Sequence, residues 1–118
     1  MFGYSSNLMN ESCKNILRQL CQGMKTSQIY AGLDISFIPT SEGMVRIHQE
    51  EQGMLVNNFD FYPNSEGWID SIAIYGRYLD AHYRTISASM EIFGLKVSDI
   101  TYEGTYIDIE LDQEQFPD

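Results

Sequence analysis

The chain has 118 residues, 43% of them hydrophobic and 20% charged, the make-up of one globular domain with its own core and no room for a second. Seventeen acidic against seven basic side chains give a formal charge of −10, which sets aside binding to nucleic acid or an anionic membrane through a general positive field. No apolar run approaches the roughly 18 residues of a membrane-spanning helix, and Met1 to Asn7 has neither the basic start nor the apolar stretch of a signal peptide, so a cytoplasmic location is expected.

Cys13, Ile16, Leu17, Leu20, Cys21 and Met24 recur at spacings of three and four, with Lys14, Asn15, Arg18 and Gln19 filling the other side. That stripe predicts an amphipathic helix over about 8–23, with Asn10 as N-cap and Gly23 as stop. The two cysteines lie about 12 Å apart on it at 1.5 Å rise per residue, beyond disulfide reach. Both are expected as reduced, apolar core residues.

The period then changes to two. Leu33, Ile35 and Phe37 alternate with Asp34 and Ser36 until Pro39-Thr40-Ser41-Glu42-Gly43 breaks the run, Val45 and Ile47 alternate with Arg46 and His48, and Met54 to Tyr62 carries Phe59 and Phe61 on one face. These are three strands, and the short connections between them, including the turn Glu50-Glu51-Gln52-Gly53, favour an antiparallel meander.

From Trp68 onward the apolar positions Trp68, Ile72, Tyr75, Leu79, Tyr83, Ile86, Met90 and Phe93 are all three or four residues apart, and Gly94 follows as a C-cap. One helical phase fits every one of them, so a helix is expected over 68–93. A strand from Ile69 to Tyr75, followed by a helix beginning near Arg77, is the rival, because that stretch is rich in isoleucine and precedes Gly76. Ile100 and Tyr102, the turn Glu103-Gly104, and the alternating Thr105, Ile107, Ile109 and Leu111 make a hairpin with Tyr106, Asp108 and Glu110 on its outer face. The polar tail 112–118 is expected to fray.

The resulting order, α-β-β-β-α-β-β, predicts a single α+β domain over 1–118. Its form is a two-layer sandwich, an antiparallel sheet of about five strands with two helices packed on one face. Leu33, Ile35, Phe37, Phe59, Phe61, Ile107 and Ile109 supply the apolar sheet face the helices need.

Chemistry is sparse. The nine glycines fall at turns and helix ends and form no phosphate-cradling loop. Two cysteines and two separated histidines, His48 and His82, do not make a closed zinc site, and no stretch has the acid spacing of a calcium loop. No serine or cysteine sits in a recognisable nucleophile turn, and both histidines read as surface residues. Neither cofactor nor metal is expected, and the chain reads as a non-enzyme.

The charge is the informative feature. After Lys96 the chain contains Asp99, Glu103, Asp108, Glu110, Asp112, Glu114 and Asp118 and no lysine or arginine, so −7 of the net −10 falls in the last 22 residues. Asp108 and Glu110 project from one strand face at about 6.6 Å spacing, with Asp112 next in line and Tyr106 before them. Tyr102 and Tyr106 flank the turn, and tyrosine among scattered charges is a composition that interface centres favour; Tyr106 is the one expected to be exposed. A solubilising acidic surface accounts for the charge equally simply. The functional expectation is a binding protein that inhibits a basic partner, in the manner of an immunity protein neutralising a nuclease toxin in a toxin-antitoxin pair, or of a phage-type inhibitor imitating nucleic acid. It would dock through Asp99, Tyr102, Glu103, Tyr106, Asp108, Glu110, Asp112 and Glu114, without direct contact to nucleic acid or membrane. The alternative is a small enzyme or ligand-binding domain with a pocket between the sheet and the long helix, using carboxylates with His82 or His48.

Overall fold

The computed structural model describes residues 11–24, 34–40 and 43–117, with the backbone alone described at 23, 24 and 34–37. Its elements are α1 (Glu11–Met24), β1 (Asp34–Pro39), β2 (Val45–Glu51), β3 (Met54–Pro63), β4 (Ile69–Gly76), α2 (Leu79–Ser89), β5 (Glu91–Ile92), β6 (Leu95–Tyr102), β7 (Tyr106–Leu111) and a 3-10 turn at Gln113–Gln115. The strands form one antiparallel sheet in the order β1-β2-β3-β4-β7-β6-β5. The class is α+β as expected, with seven strands in place of about five.

The register shows how the core is assembled. Val45, Phe61, Ile72 and Ile109 stand side by side across β2, β3, β4 and β7, and Ile47, Phe59, Ile74 and Ile107 form the next row. All eight are buried, in one cluster with Cys13, Ile16 and Leu20 of α1 and Leu79 and Ile86 of α2. Both helices therefore cover the same sheet face. Phe93 links the layers, meeting Phe59 edge-on at 5.4 Å and Phe61 at 5.6 Å between ring centroids.

The helix expected over 68–93 is corrected. Ile69 to Gly76 is a strand, the rival reading, and the helix is confined to Leu79–Ser89. β4 is paired on both sides, by β3 and β7, and a central strand with Ile69, Ile72, Ala73 and Ile74 all buried need not show clean alternation. Its β-branched isoleucines suit that setting, and the helical spacing from Trp68 to Tyr75 was coincidental. Downstream, Met90 takes a left-handed conformation and closes α2 by donating its backbone N–H to Ile86. Gly94 is no helix cap. With Phe93 it forms a two-residue turn, both residues at positive φ (52° and 78°), which joins β5 to β6 in the geometry that right-twisted strands prefer.

Smaller differences follow the same logic. The two-residue turn between β6 and β7 is Gly104-Thr105, closed by the Glu103 N–H donating to the Tyr106 carbonyl at 2.9 Å. Cys13 is buried and its thiol donates towards the carbonyls of Thr40 and Met44, each at 3.3 Å, but Cys21 is exposed and not part of the core. The segment 113–117, read as frayed, is tied down: Gln113 donates to the Ile69 carbonyl, Gln115 accepts from the Lys96 N–H, and Phe116 stacks on Trp68 at 5.1 Å. The expected N-cap Asn10, the start of the first helix and Leu33 lie outside the described residues, as do the side chains of Ile35 and Phe37. Among the described residues no helix is long and apolar enough to cross a membrane.

Candidate functional site

The sheet face away from the helices carries the polar residues of the alternating strands. Arg46, Asp60, Ala73, Asp108 and Thr101 form one row across β2, β3, β4, β7 and β6. On one side of it lie His48, Asn58, Tyr75 and Tyr106; on the other, Tyr62, Ser71, Glu110 and Asp99. Strand alternation is what puts them together: Asp60 sits between two core phenylalanines, and Asp108 and Glu110 around Ile109, so these polar groups must point away from the core.

One charge on this face is neutralised internally. Asp60 is 2% exposed and accepts two hydrogen bonds from the Arg46 guanidinium, at 2.7 and 2.9 Å, a bidentate pair between neighbouring strands. Among the described residues the acids nearer the C-terminus have no such partner. Among the described residues the ion pairs are Lys14–Glu11 and Arg46–Asp60, and Asp99, Glu103, Asp108, Glu110, Asp112 and Glu114 take part in neither.

Of the eight residues expected at a docking surface, Tyr106, Asp108, Glu110 and Asp99 lie together on this open face. Glu103 lies in the turn beside them, and its charge raises the Tyr106 pKa. Tyr102 does not join them. It pairs with Ile107 and so faces the helices, where its ring meets Tyr83 at 5.7 Å and a hydrogen bond to Asp80 pushes its phenol pKa up. Asp112 and Glu114 belong to the opposite end of β7, and Asp112 caps the 3-10 turn by accepting from the Glu114 N–H at 3.0 Å. Tyr106, expected to stand exposed, is half-buried because it stacks on Tyr75 with centroids 5.5 Å apart.

Sequence reasoning missed Arg46, Asp60, Tyr62 and Tyr75. Tyr75 fits the helical spacing of its neighbours, and that spacing hides its place beside Tyr106 on the sheet. The signal for Asp60 was available, as the single acid between two phenylalanines on a strand.

His82 is half-buried rather than a freely exposed helix-surface residue. It is packed edge-on against Phe59 at 5.9 Å, and the Asn57 amide lies 3.1 Å from its Nε2 while also donating to Gln49. Burial lowers the His82 pKa, and a neutral imidazole accepting at Nε2 fits that arrangement. Asn57, Gln49 and His82 form a polar cluster on the helix side of the sheet, whereas His48 stands on the other side, across from Asn58. The two histidines do not share a site. A cleft of about 470 Å³ lies elsewhere, lined by Gln19, Gln22, Trp68, Leu95 and Phe116 among others, with no titratable side chain among the described residues of its wall. Among the described residues no group of three or more His, Cys, Asp or Glu is placed to hold a metal ion.

The fold and this surface define the chain as a two-layer α+β protein with an acidic, tyrosine-bearing open sheet. Compared with protein-family models, curated proteins and solved structures, it matches none.

Proposed function

We propose that the chain is a non-enzymatic binding protein that docks and inhibits a basic protein partner through the open face of its sheet around β6 and β7. The observation that carries this reading is the set of carboxylates Asp99, Asp108 and Glu110 on one face, unpaired among the described residues, beside the stacked rings of Tyr75 and Tyr106. Carboxylates attract a positive surface over a Debye length of about 8 Å at physiological salt and speed its arrival. Tyrosines provide rigid amphipathic contact area at small entropic cost. A nuclease toxin paired with an immunity protein, or a nucleic-acid enzyme blocked by an inhibitor that imitates nucleic acid, has the required positive surface, and a cytoplasmic setting suits either.

The test is capture on the immobilised chain from the native host, with identification of what is retained. The expected result is a basic nucleic-acid enzyme that is released as salt rises from about 0.05 to 0.5 M and whose activity falls when the chain is added. Absence of any protein partner, together with a small metabolite that raises the melting temperature, overturns the reading in favour of a ligand-binding domain.

A further inference from the structure

The sheet has an open edge beside the docking face. β5 pairs only with Leu95 and Lys96 of β6, and the Val97 N–H donates to the Met90 carbonyl at 2.9 Å. From Ser98 onward β6 has β7 on one side and, among the described residues, no strand on the other. The turn bond from the Glu103 N–H to the Tyr106 carbonyl fixes which groups face that edge. Glu103 and Thr101 aim their N–H and C=O at β7, as does Asp99 opposite Glu110, so Ile100 and Tyr102 aim theirs outward. Among the described residues no backbone hydrogen bond reaches these outward groups. Natural sheets block such an edge with proline, lysine or a bulge. At the opposite end β1 uses Pro39: the Thr40 N–H turns inward to the Met44 carbonyl at 3.0 Å, so the proline nitrogen before it, which carries no hydrogen, faces outward. Ile100-Thr101-Tyr102 holds neither proline nor lysine, and the bulge of β6 lies before it, between Val97 and Asp99.

The two faces of this edge differ in chemistry. Ile100 and Tyr102 stand opposite Ile109 and Ile107 on the helix side, where Ile100 packs on the core and Tyr102 is 36% exposed. Asp99 and Thr101 stand opposite Glu110 and Asp108 on the open face. A strand laid along the edge therefore meets apolar surface with one set of alternate residues and carboxylates with the other. We infer that the edge of β6 from Asp99 to Tyr102 accepts an extended segment of the basic partner as an added antiparallel strand, alternating apolar residues towards the helices with lysine or arginine towards the open face. This rests on the proposed docking face and specifies how the partner is held there. Main-chain hydrogen bonds to the N–H and C=O of Ile100 and Tyr102 give affinity, and the two rows of side chains give specificity. A second copy of the chain is the poorer occupant. Antiparallel pairing of Ile100 with Tyr102 of the copy would set each Asp99 against the other chain's Glu103, between two molecules of charge −10.

The test titrates capped peptides into the isotope-labelled chain, followed by NMR. Lys-Val-Lys-Val-Lys-Val-Lys is expected to bind saturably at millimolar concentration and to slow amide hydrogen exchange at Ile100 and Tyr102 about tenfold or more. The same peptide methylated on its valine nitrogens keeps its charge and side chains but loses the N–H groups that would bond β6. It is expected to bind about tenfold more weakly, and so is the peptide with serine in place of lysine. Ile100→Pro removes one outward N–H and no ladder bond to β7, and is expected to abolish the protection of Tyr102. The methylated peptide needs no altered protein, so that comparison decides the matter even if the proline variant folds poorly. No saturable binding, equal binding of the methylated or the serine peptide, or unchanged exchange at Ile100 and Tyr102 at saturation overturns the inference. A captured partner that depends on Asp99, Asp108 and Glu110 but tolerates Ile100→Pro removes the added strand and leaves the docking face standing. Indifference of the partner to charge reversal at those three acids removes both.

Discussion

At the scale of single residues, Asp60 shows how much one charge costs when the fold closes over it. A carboxylate 2% exposed is tolerable only while Arg46 satisfies it, and removing one member of a buried pair leaves the other charged and unpaired, at roughly 3–5 kcal/mol. The Arg46 side chain is 41% exposed, so solvent screens part of the interaction and the expected loss for Arg46→Leu is lower, about 2 kcal/mol. Asp60→Asn added to that variant should recover a good part of it, since the neutral amide is far cheaper to bury than a bare carboxylate. Urea denaturation of the two variants checks both values; a double variant no more stable than the single one would mean that charge is not the cause. His82 makes the companion case in pH. Burial holds its pKa below the ordinary value of about 6.5, so the folded chain keeps the imidazole neutral while the unfolded chain takes up a proton. The stability tied to this residue is complete above about pH 7 and is lost as the pH falls through 6.5 towards the lowered folded value. His82→Gln, which can still hydrogen-bond Asn57, should flatten that part of the stability–pH curve, as read by melting temperatures from pH 8 to 5.

At the scale of elements, β4 decides the architecture, and its end is fixed by Gly76. That residue has φ +128°, and a Cβ built on it would lie 2.3 Å from the Val56 carbonyl oxygen and 2.8 Å from the Asn57 Cα, both backbone atoms that cannot step aside. Gly76→Ala should therefore cost about 3 kcal/mol through strain and overpacking, measurable as a fall in denaturation midpoint at unchanged slope. No measurable loss would place the β3–β4 contact wrongly. The same strand explains how much of the fold could be read from the letters. The α1 stripe, the alternation of β2, β3 and β7 and the one-sided helix layer were legible because each buries one face only, and period then reports burial directly. β4 and the β5–β6 hairpin were not legible. A strand that buries consecutive residues on both faces, as β4 does at Ile72, Ala73 and Ile74, loses its alternation, and the helical spacing of Trp68, Ile72 and Tyr75 continued by chance into the true helix at Leu79. Of the candidate surface, the outward acids of β7 were legible, but Tyr75 and Tyr62 could be placed beside them only after the order β3-β4-β7 was known, since sheet order is a long-range property that local pattern does not encode.

At the scale of the whole molecule, the uneven charge matters more than its sum. A protein of charge −10 attracts any cation, but an excess gathered on one face also orients the encounter, and orientation is what raises association from about 10⁵–10⁶ M⁻¹s⁻¹ towards 10⁸ or more. Changing Asp99, Asp108 and Glu110 to lysine moves the net charge by six, from −10 to −4, and leaves the core untouched because all three side chains point away from it. Asp112 is better left alone, since it caps the 3-10 turn. The proper control makes the same change elsewhere, at the exposed Glu51, Glu66 and Glu91, so that both variants have equal net charge and differ only in where it resides. If the open face guides docking, the first variant should associate with the captured basic partner at least tenfold more slowly in stopped flow at low salt, and the control about twofold more slowly, the difference closing near 0.5 M salt as the Debye length falls to about 4 Å. Equal slowing in both would mean that the protein attracts its partner by total charge alone, and the face formed by β6 and β7 would then have no special part in recognition.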